Sequence, residues 1–139
     1  MCGCVFCKIA NGEIPSHKVY EDNQILAFLD ISQTTRGHTL VITKEHFQNF
    51  LYVPKDLLSR AISVAQQVAQ SQVASLGANG VNILINTNEA AGQTVMHFHI
   101  HVIPRYDAMD NLKIEFTPAQ IEKLNLPAIA EEIKKEVSL

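Results

Sequence analysis

His97, His99 and His101 recur at every second position of the stretch Met-His-Phe-His-Ile-His-Val-Ile-Pro-Arg, residues 96–105. In an extended strand a period of two sends these imidazoles to one face and Phe98, Ile100 and Val102 to the other. A neutral imidazole is a capable nucleophile near pH 7, and titratable groups crowded on one face seldom lack a task. Just upstream, residues 86–95 read Asn-Thr-Asn-Glu-Ala-Ala-Gly-Gln-Thr-Val, a polar loop in which Gly92 can bring backbone N–H groups close to an anion. The pairing of loop and row suggests attack by an imidazole on phosphorus, with the anion held by the loop. Three imidazoles at i, i+2 and i+4 around a catalytic metal are the sharp alternative. A half-exposed strand that happens to carry histidines is the plain one.

A second reactive group lies at the start. Cys4 and Cys7 form a C-x-x-C pair, a spacing at which two thiolates reach one tetrahedral zinc. A thioredoxin-like redox pair would follow a strand and open a helix within a βαβ unit, and only three residues precede this one. Idle thiols remain the bland reading. A zinc needs two further ligands, and His17, His38, His46 and a member of the 97–101 row are the candidates.

His-x-His-x-His followed by two apolar residues and preceded by Gly-Gln-Thr-Val resembles the histidine triad family of nucleotide-binding hydrolases and transferases. Residues 6–15 resemble the family's opening segment, 26–38 its second strand region and 86–105 its active site. The resemblance implies that His99 is the nucleophile, that His101 bonds the phosphate and gives a proton to the leaving group, that His97 is the first member of the catalytic row, and that His38 helps orient that row. It implies a phosphate site of Asn86, Gly92, Gln93, Thr94 and Val95, with the amides of Gln93, Thr94 and Val95 stabilising the phosphoryl oxygens. It further implies a ribose contact at Asp30 and a base pocket of Phe6, Ile9, Ile14, Phe28 and Ile31; turn formation at Asp30 and plain core packing are the alternatives there. Distant nucleotidyl transferases of the superfamily bind a structural zinc through two cysteines, a histidine and the first triad histidine. Here those are Cys4, Cys7, His46 and His97, a closed shell that would claim His97 and disfavour the catalytic metal.

These groups need a scaffold. Residues 17–21 and 24–30 read as two strands of a hairpin turned at Asp22-Asn23, 39–43 as a third strand, 81–85 as an internal strand, and 96–103 as the last, stopped by Pro104. Residues 8–11 suggest one helical turn ended by Gly12. Residues 54–76 read as a long helix, with Leu57, Ala61, Val64 and Val68 in one row, Leu58, Ile62, Ala65 and Ala69 beside it, and Gly77 as its stop. Thr117-Pro118-Ala119-Gln120 has the form of a capping box, and Pro127 opens a further helix with Ile129, Ile133 and Val137 on one face. The expectation is an α+β domain spanning 1–139: a five-stranded antiparallel sheet, one long helix and short C-terminal helices. The broad apolar stripe of the long helix suits burial against the sheet and against a second subunit, and a homodimer is usual in the resembling family.

Composition narrows the function. At 139 residues the chain fits one core, and 11 lysines and arginines against 14 acidic residues, scattered in sign, give no basic stripe for nucleic acid. No stretch approaches the roughly 20 apolar residues that cross a bilayer, and no leader is evident, so a cytoplasmic protein is expected. The resulting reading is hydrolysis or transfer at the α-phosphate of a purine nucleoside phosphoramidate or related AMP derivative, through a nucleotidyl-His99 intermediate with structural zinc. Cleavage of dinucleoside polyphosphates, or nucleotide binding and scaffolding with vestigial catalysis, are the alternatives.

Overall fold

The structure, a computed structural model, describes residues 3–139; Cys2 lies outside them. Five strands, β1 (Lys18–Glu21), β2 (Ile25–Leu29), β3 (Thr39–Thr43), β4 (Gly80–Leu84) and β5 (His99–Arg105), form one antiparallel sheet in the order β1-β2-β3-β5-β4. The hairpin turn is fixed by Asp22, whose Oδ1 accepts from the backbone N–H of Gln24 and of Ile25, both at 2.8 Å. The helices are α1 (Val5–Ala10), α2 (Lys55–Leu76) and α3 (Leu126–Lys134). This is the α+β architecture expected.

Alternation along the central strands divides the core into two layers. Ile25, Ala27, Val41, Ile100 and Val102 pack on one face against Ala61, Val64, Ala65 and Val68 of α2. The opposite face carries Leu26, Phe28, Leu40 and Ile42, joined by Phe6 of α1. β5 is paired on both sides, with Leu40 opposite His101 and Ile42 opposite His99 on β3. The imidazoles therefore belong to the α1 face, and Ile100 and Val102, which alternate with them, belong to the α2 face.

Several boundaries differ from those read in the sequence. β5 begins at His99 and runs through Pro104 to Arg105, whereas a start at Met96 and a stop at Pro104 were expected. Proline is tolerated because the β3 ladder has already ended, at Thr39 opposite Val102, so no partner strand awaits the missing N–H. The Pro104 carbonyl is taken on that side by Thr35 Oγ1 at 2.6 Å. α1 starts at Val5, ahead of the expected residue 8, because Cys4 Sγ accepts from the N–H of Cys7 and caps it. No helix follows the 117–120 segment directly; one 3-10 turn forms at Ile121–Lys123. Ile62, assigned to the apolar stripe of α2, is 43 % exposed, and Ile129, Ile133 and Val137 of the C-terminal region are exposed as well.

α2 does more than cover the sheet. Gln72, placed in its last turns, is buried, and its Nε2 donates to the carbonyls of Gly37 and Val102, tying the loop before β3 to β5. Gly37 has φ +99°, and a Cβ there would lie 2.5 Å from Leu76 Cδ1. Gly37→Ala is expected to lower the unfolding free energy by about 1–3 kcal/mol, from left-handed strain plus the clash, as read by urea denaturation.

Candidate functional site

The α1 face of β5 and β3 forms the floor of a cavity of about 710 Å³. Its wall includes Phe6, Ile9, Ile14, Phe28 and Ile31 at an apolar end, Asp30 after β2, and Asn86, Gly92, Thr94 and Val95 from the polar loop, with His99 and His101 on the floor. Twelve of the residues expected to bind substrate thus share one cavity. Gln93 does not. It is buried, its Oε1 accepts from the Asn88 N–H, its Nε2 donates to the carbonyls of Gln48 and Val95, and its own N–H is taken by the Asn88 carbonyl. The expected phosphate contact at Gln93 is replaced by a brace that holds the loop's shape. Asn49, fully buried, helps from outside by donating to Asn88 Oδ1 at 3.0 Å; no spacing in the sequence marks it.

The backbone fixes the protons of the imidazoles. His99 Nδ1 lies 2.7 Å from the His97 carbonyl, which can only accept, so Nδ1 carries the hydrogen and Nε2 keeps its lone pair. His97 Nε2 lies 2.7 Å from the Thr43 carbonyl, so on this ring it is Nδ1 that keeps the lone pair. For His38 the N–H of Thr34 donates to Nδ1 at 3.3 Å, which leaves the proton on Nε2 to donate to His101 Nδ1 at 2.9 Å. His101 consequently bears its own hydrogen on Nε2. One ring of the row presents a lone pair, and the next presents an N–H, with centroids 5.1 Å apart.

Burial holds these rings neutral. Desolvation pushes His97 down to about 4, helped by the nearby rings of His46 and His99. Desolvation likewise takes His101 to about 4, with the His99 and His38 rings adding to the effect and Asp30 opposing it. His99 and His38 are also lowered by desolvation, and the Asp30 carboxylate opposes the shift in both. Asp30 Oδ2 is 3.7 Å from His38 Nε2, too long for a hydrogen bond but close enough to act by charge.

His97 faces away from the cavity floor toward the cysteines. Its Nδ1 is 3.3 Å from Cys4 Sγ, 3.5 Å from Cys7 Sγ and 3.2 Å from His46 Nδ1, and His46 Nδ1 is 3.6 and 3.4 Å from the two sulfurs. Metal–sulfur bonds of about 2.3 Å and metal–nitrogen bonds of about 2.0 Å on a tetrahedron require edges of about 3.3–3.8 Å. Four of the five edges fall in that range and the fifth, between the two imidazole nitrogens at 3.2 Å, is just short of it, and the tautomer fixed by Thr43 aims the lone pair of His97 inward. Among the described residues the other group with ligating atoms within 4.8 Å is Asp30, His38 and His101; the row 97, 99 and 101 forms no such group.

A cavity floored by an imidazole with a fixed lone pair, on a five-stranded antiparallel sheet, defines the class as an α+β domain with a ligand-sized cavity on one face of its sheet. The chain belongs to the HIT domain family, whose model matches residues 11–108. It is 42 % identical over 131 residues to an uncharacterized HIT-like protein of Methanocaldococcus jannaschii, covering 94 % of this chain and 98 % of that one. An adenylylsulfatase of Arabidopsis thaliana is 39 % identical over 102 residues, 73 % of this chain and 52 % of its own length. Among solved structures, a HIT family protein of Bacillus anthracis superposes with a TM-score of 0.92 at 45 % identity over 98 % of each chain. A Zn-bound histidine triad family protein of Mycobacterium smegmatis gives 0.75 at 39 % identity, covering 96 % of this chain and 98 % of its own. A histidine triad nucleotide-binding protein of Candida albicans gives 0.82 at 34 % identity over 96 % of each.

The neutral rings tie stability to pH. Unfolded imidazoles bind protons near 6.5, whereas folded His97 and His101 bind them only near 4, so between these values the unfolded chain holds more protons. In chelator-treated protein, stability should be full above about pH 6.5 and fall by on the order of a few kcal/mol as pH drops to 5. Urea unfolding at pH 7.5 and 5.0 measures this, and equal midpoints would contradict it.

Proposed function

We propose that this HIT domain hydrolyses or transfers nucleoside monophosphate groups, attacking the α-phosphorus through His99 Nε2. The observation that carries this reading is the His99 Nδ1–H bond to the His97 carbonyl, which leaves a lone pair on Nε2 at the cavity floor. The Arabidopsis relative named as an adenylylsulfatase and the Candida protein named as nucleotide-binding support the ligand class. Purine nucleoside phosphoramidates are the substrates that fit the mechanism.

The apolar end of the cavity takes the base, Asp30 accepts hydrogen bonds from the ribose hydroxyls, and the phosphate lies between His101 and the loop of Asn86, Gly92, Thr94 and Val95. His99 Nε2 then attacks phosphorus and the bond to the leaving amine breaks. The anionic phosphate raises the proton affinity of His101, which delivers a proton to the amine. Water attacks the phosphorus of nucleotidyl-His99, returns a proton to His101 and frees the nucleotide. The polar loop stabilises the charge on the phosphoryl oxygens throughout, and the N–H of His101 does so until its proton passes to the amine.

Cys4, Cys7, His46 and His97 would hold a structural zinc, in line with the Zn-bound Mycobacterium relative. Four protein ligands close the shell, so the ion would fix α1 and the start of β5 and take no part in the reaction. A homodimer through α2 completes the reading: Ile62 and Val73 on that helix are exposed apolar residues suited to a subunit contact.

His99→Ala should lower turnover of adenosine phosphoramidate by at least about 10³-fold while AMP still binds, and mass spectrometry should show an adenylyl adduct on the wild-type peptide alone. Unchanged turnover in the variant would refute the nucleophile. Cys4→Ser should reduce bound zinc, by elemental analysis, and lower Tm by several degrees, because a zinc shell's binding free energy is folding free energy. A wild-type protein purified with no zinc and unmoved by zinc addition would overturn the metal reading.

A further inference from the structure

Ser16 was not among the residues expected to bind substrate, yet it lines the cavity, and its Oγ is buried without a hydrogen-bond partner. A buried hydroxyl left unpaired costs free energy, and one on a residue that lines a cavity is satisfied when its side chain turns about χ1 toward a polar atom of a bound molecule. Its position says which part of the molecule that is. The His17 carbonyl accepts from the Leu29 N–H at 2.9 Å, and Lys18 is opposite Phe28, so Ser16 is level with Asp30 on the lead-in to β1. Alternation gives Ser16 the same face as Lys18 and so as Phe28, the face of the site. In the sheet order β1-β2-β3-β5-β4, this edge lies three strand spacings, roughly 14 Å, from the imidazoles of β5. Asp30, after β2, is one spacing nearer to them.

We propose that Ser16 Oγ is a specificity-determining contact to the heteroatom edge of a bound purine base. The inference rests on the nucleotide reading above and extends it to the base. A nucleotide whose phosphate sits at His99 and whose ribose reaches Asp30 brings its base, and no other polar part, to the β1 edge. Phe6, Ile14 and Phe28 enclose the flat faces of the base and offer it no hydrogen bond; His17 and Ser32 also line the cavity, and Ser16 is the one of these three whose side chain has a buried hydroxyl without a partner. A hydroxyl both donates and accepts, and it can pair with a ring nitrogen or with an exocyclic amine.

Calorimetric titration tests this with AMP and ribose 5-phosphate against the wild type and Ser16→Ala. The variant should bind AMP about five- to tenfold more weakly and ribose 5-phosphate unchanged, the loss expected for one hydrogen bond. Its Tm should not fall, since no bond within the protein is removed. A second measurement needs no variant: among 1-deaza-, 3-deaza- and 7-deaza-AMP and the 6-deamino nucleotide, one should bind the wild type more weakly than AMP by a similar factor. Equal AMP affinity in the two proteins, an equal loss for ribose 5-phosphate, or indifference of the wild type to all four analogues would overturn the base contact alone. A wild type that binds neither AMP nor ribose 5-phosphate would instead overturn the nucleotide reading, and this contact with it.

Discussion

Burying imidazoles on one face of a strand requires that each stay neutral and that each N–H find an acceptor. The site follows from how those acceptors are supplied. The His97 carbonyl takes the His99 hydrogen, and the Thr43 carbonyl takes the His97 hydrogen. The Thr34 amide, working through His38, leaves the His101 hydrogen pointing outward. Three residues alike in type thereby fall into two tautomers, with the hydrogen on Nε2 in His97 and His101 and on Nδ1 in His99, and into three different surroundings. One suits a metal, one suits attack, and one suits donation to an anion. Desolvation lowers the proton affinity of all three, so the unoccupied rings keep those tautomers at neutral pH.

The acceptors are useful only if the loops that carry them are rigid. Gln93 ties the 86–95 loop to itself through Asn88 and Val95 and to the Gln48 carbonyl outside it, and Asn49 also fastens that loop from outside. Gln72 does the same for the loop that carries His38, and Gly37 lets that loop pass against Leu76. Thr35 holds the end of β5 through Pro104. Polar side chains buried away from the reacting groups thus set the geometry on which the imidazoles depend.

The sheet separates duties between its faces. α2 and the apolar half of β5 form the packed layer, and the opposite face gathers the cavity and the cysteine cluster around Phe6. Phe6 contacts both the His97 and His99 rings, at centroid distances of 6.0 and 5.1 Å, so α1 links the cluster to the cavity floor. Anything that anchors Cys4 and Cys7 also anchors Phe6, and hence one wall of the ligand site.

The sequence by itself determined the five strands, the long helix and the two faces of the histidine strand, because those depend on local periodicity. It also brought the Cys-x-x-Cys pair to notice, although the choice of His46 over His17 came from family resemblance. Tertiary structure alone decided the rest. Gln93 stands beside cavity residues in the chain but faces the loop interior, since its amide meets acceptors from Gln48 and Val95 that no local pattern reveals. Ser16 looks like an ordinary residue after a proline until β1 pairs with β2 and sets it level with Asp30. Pro104 ends a strand by propensity, yet β5 continues because β3 stops first. Periodicity tells which way a side chain points; only the packed neighbours determine what it meets there.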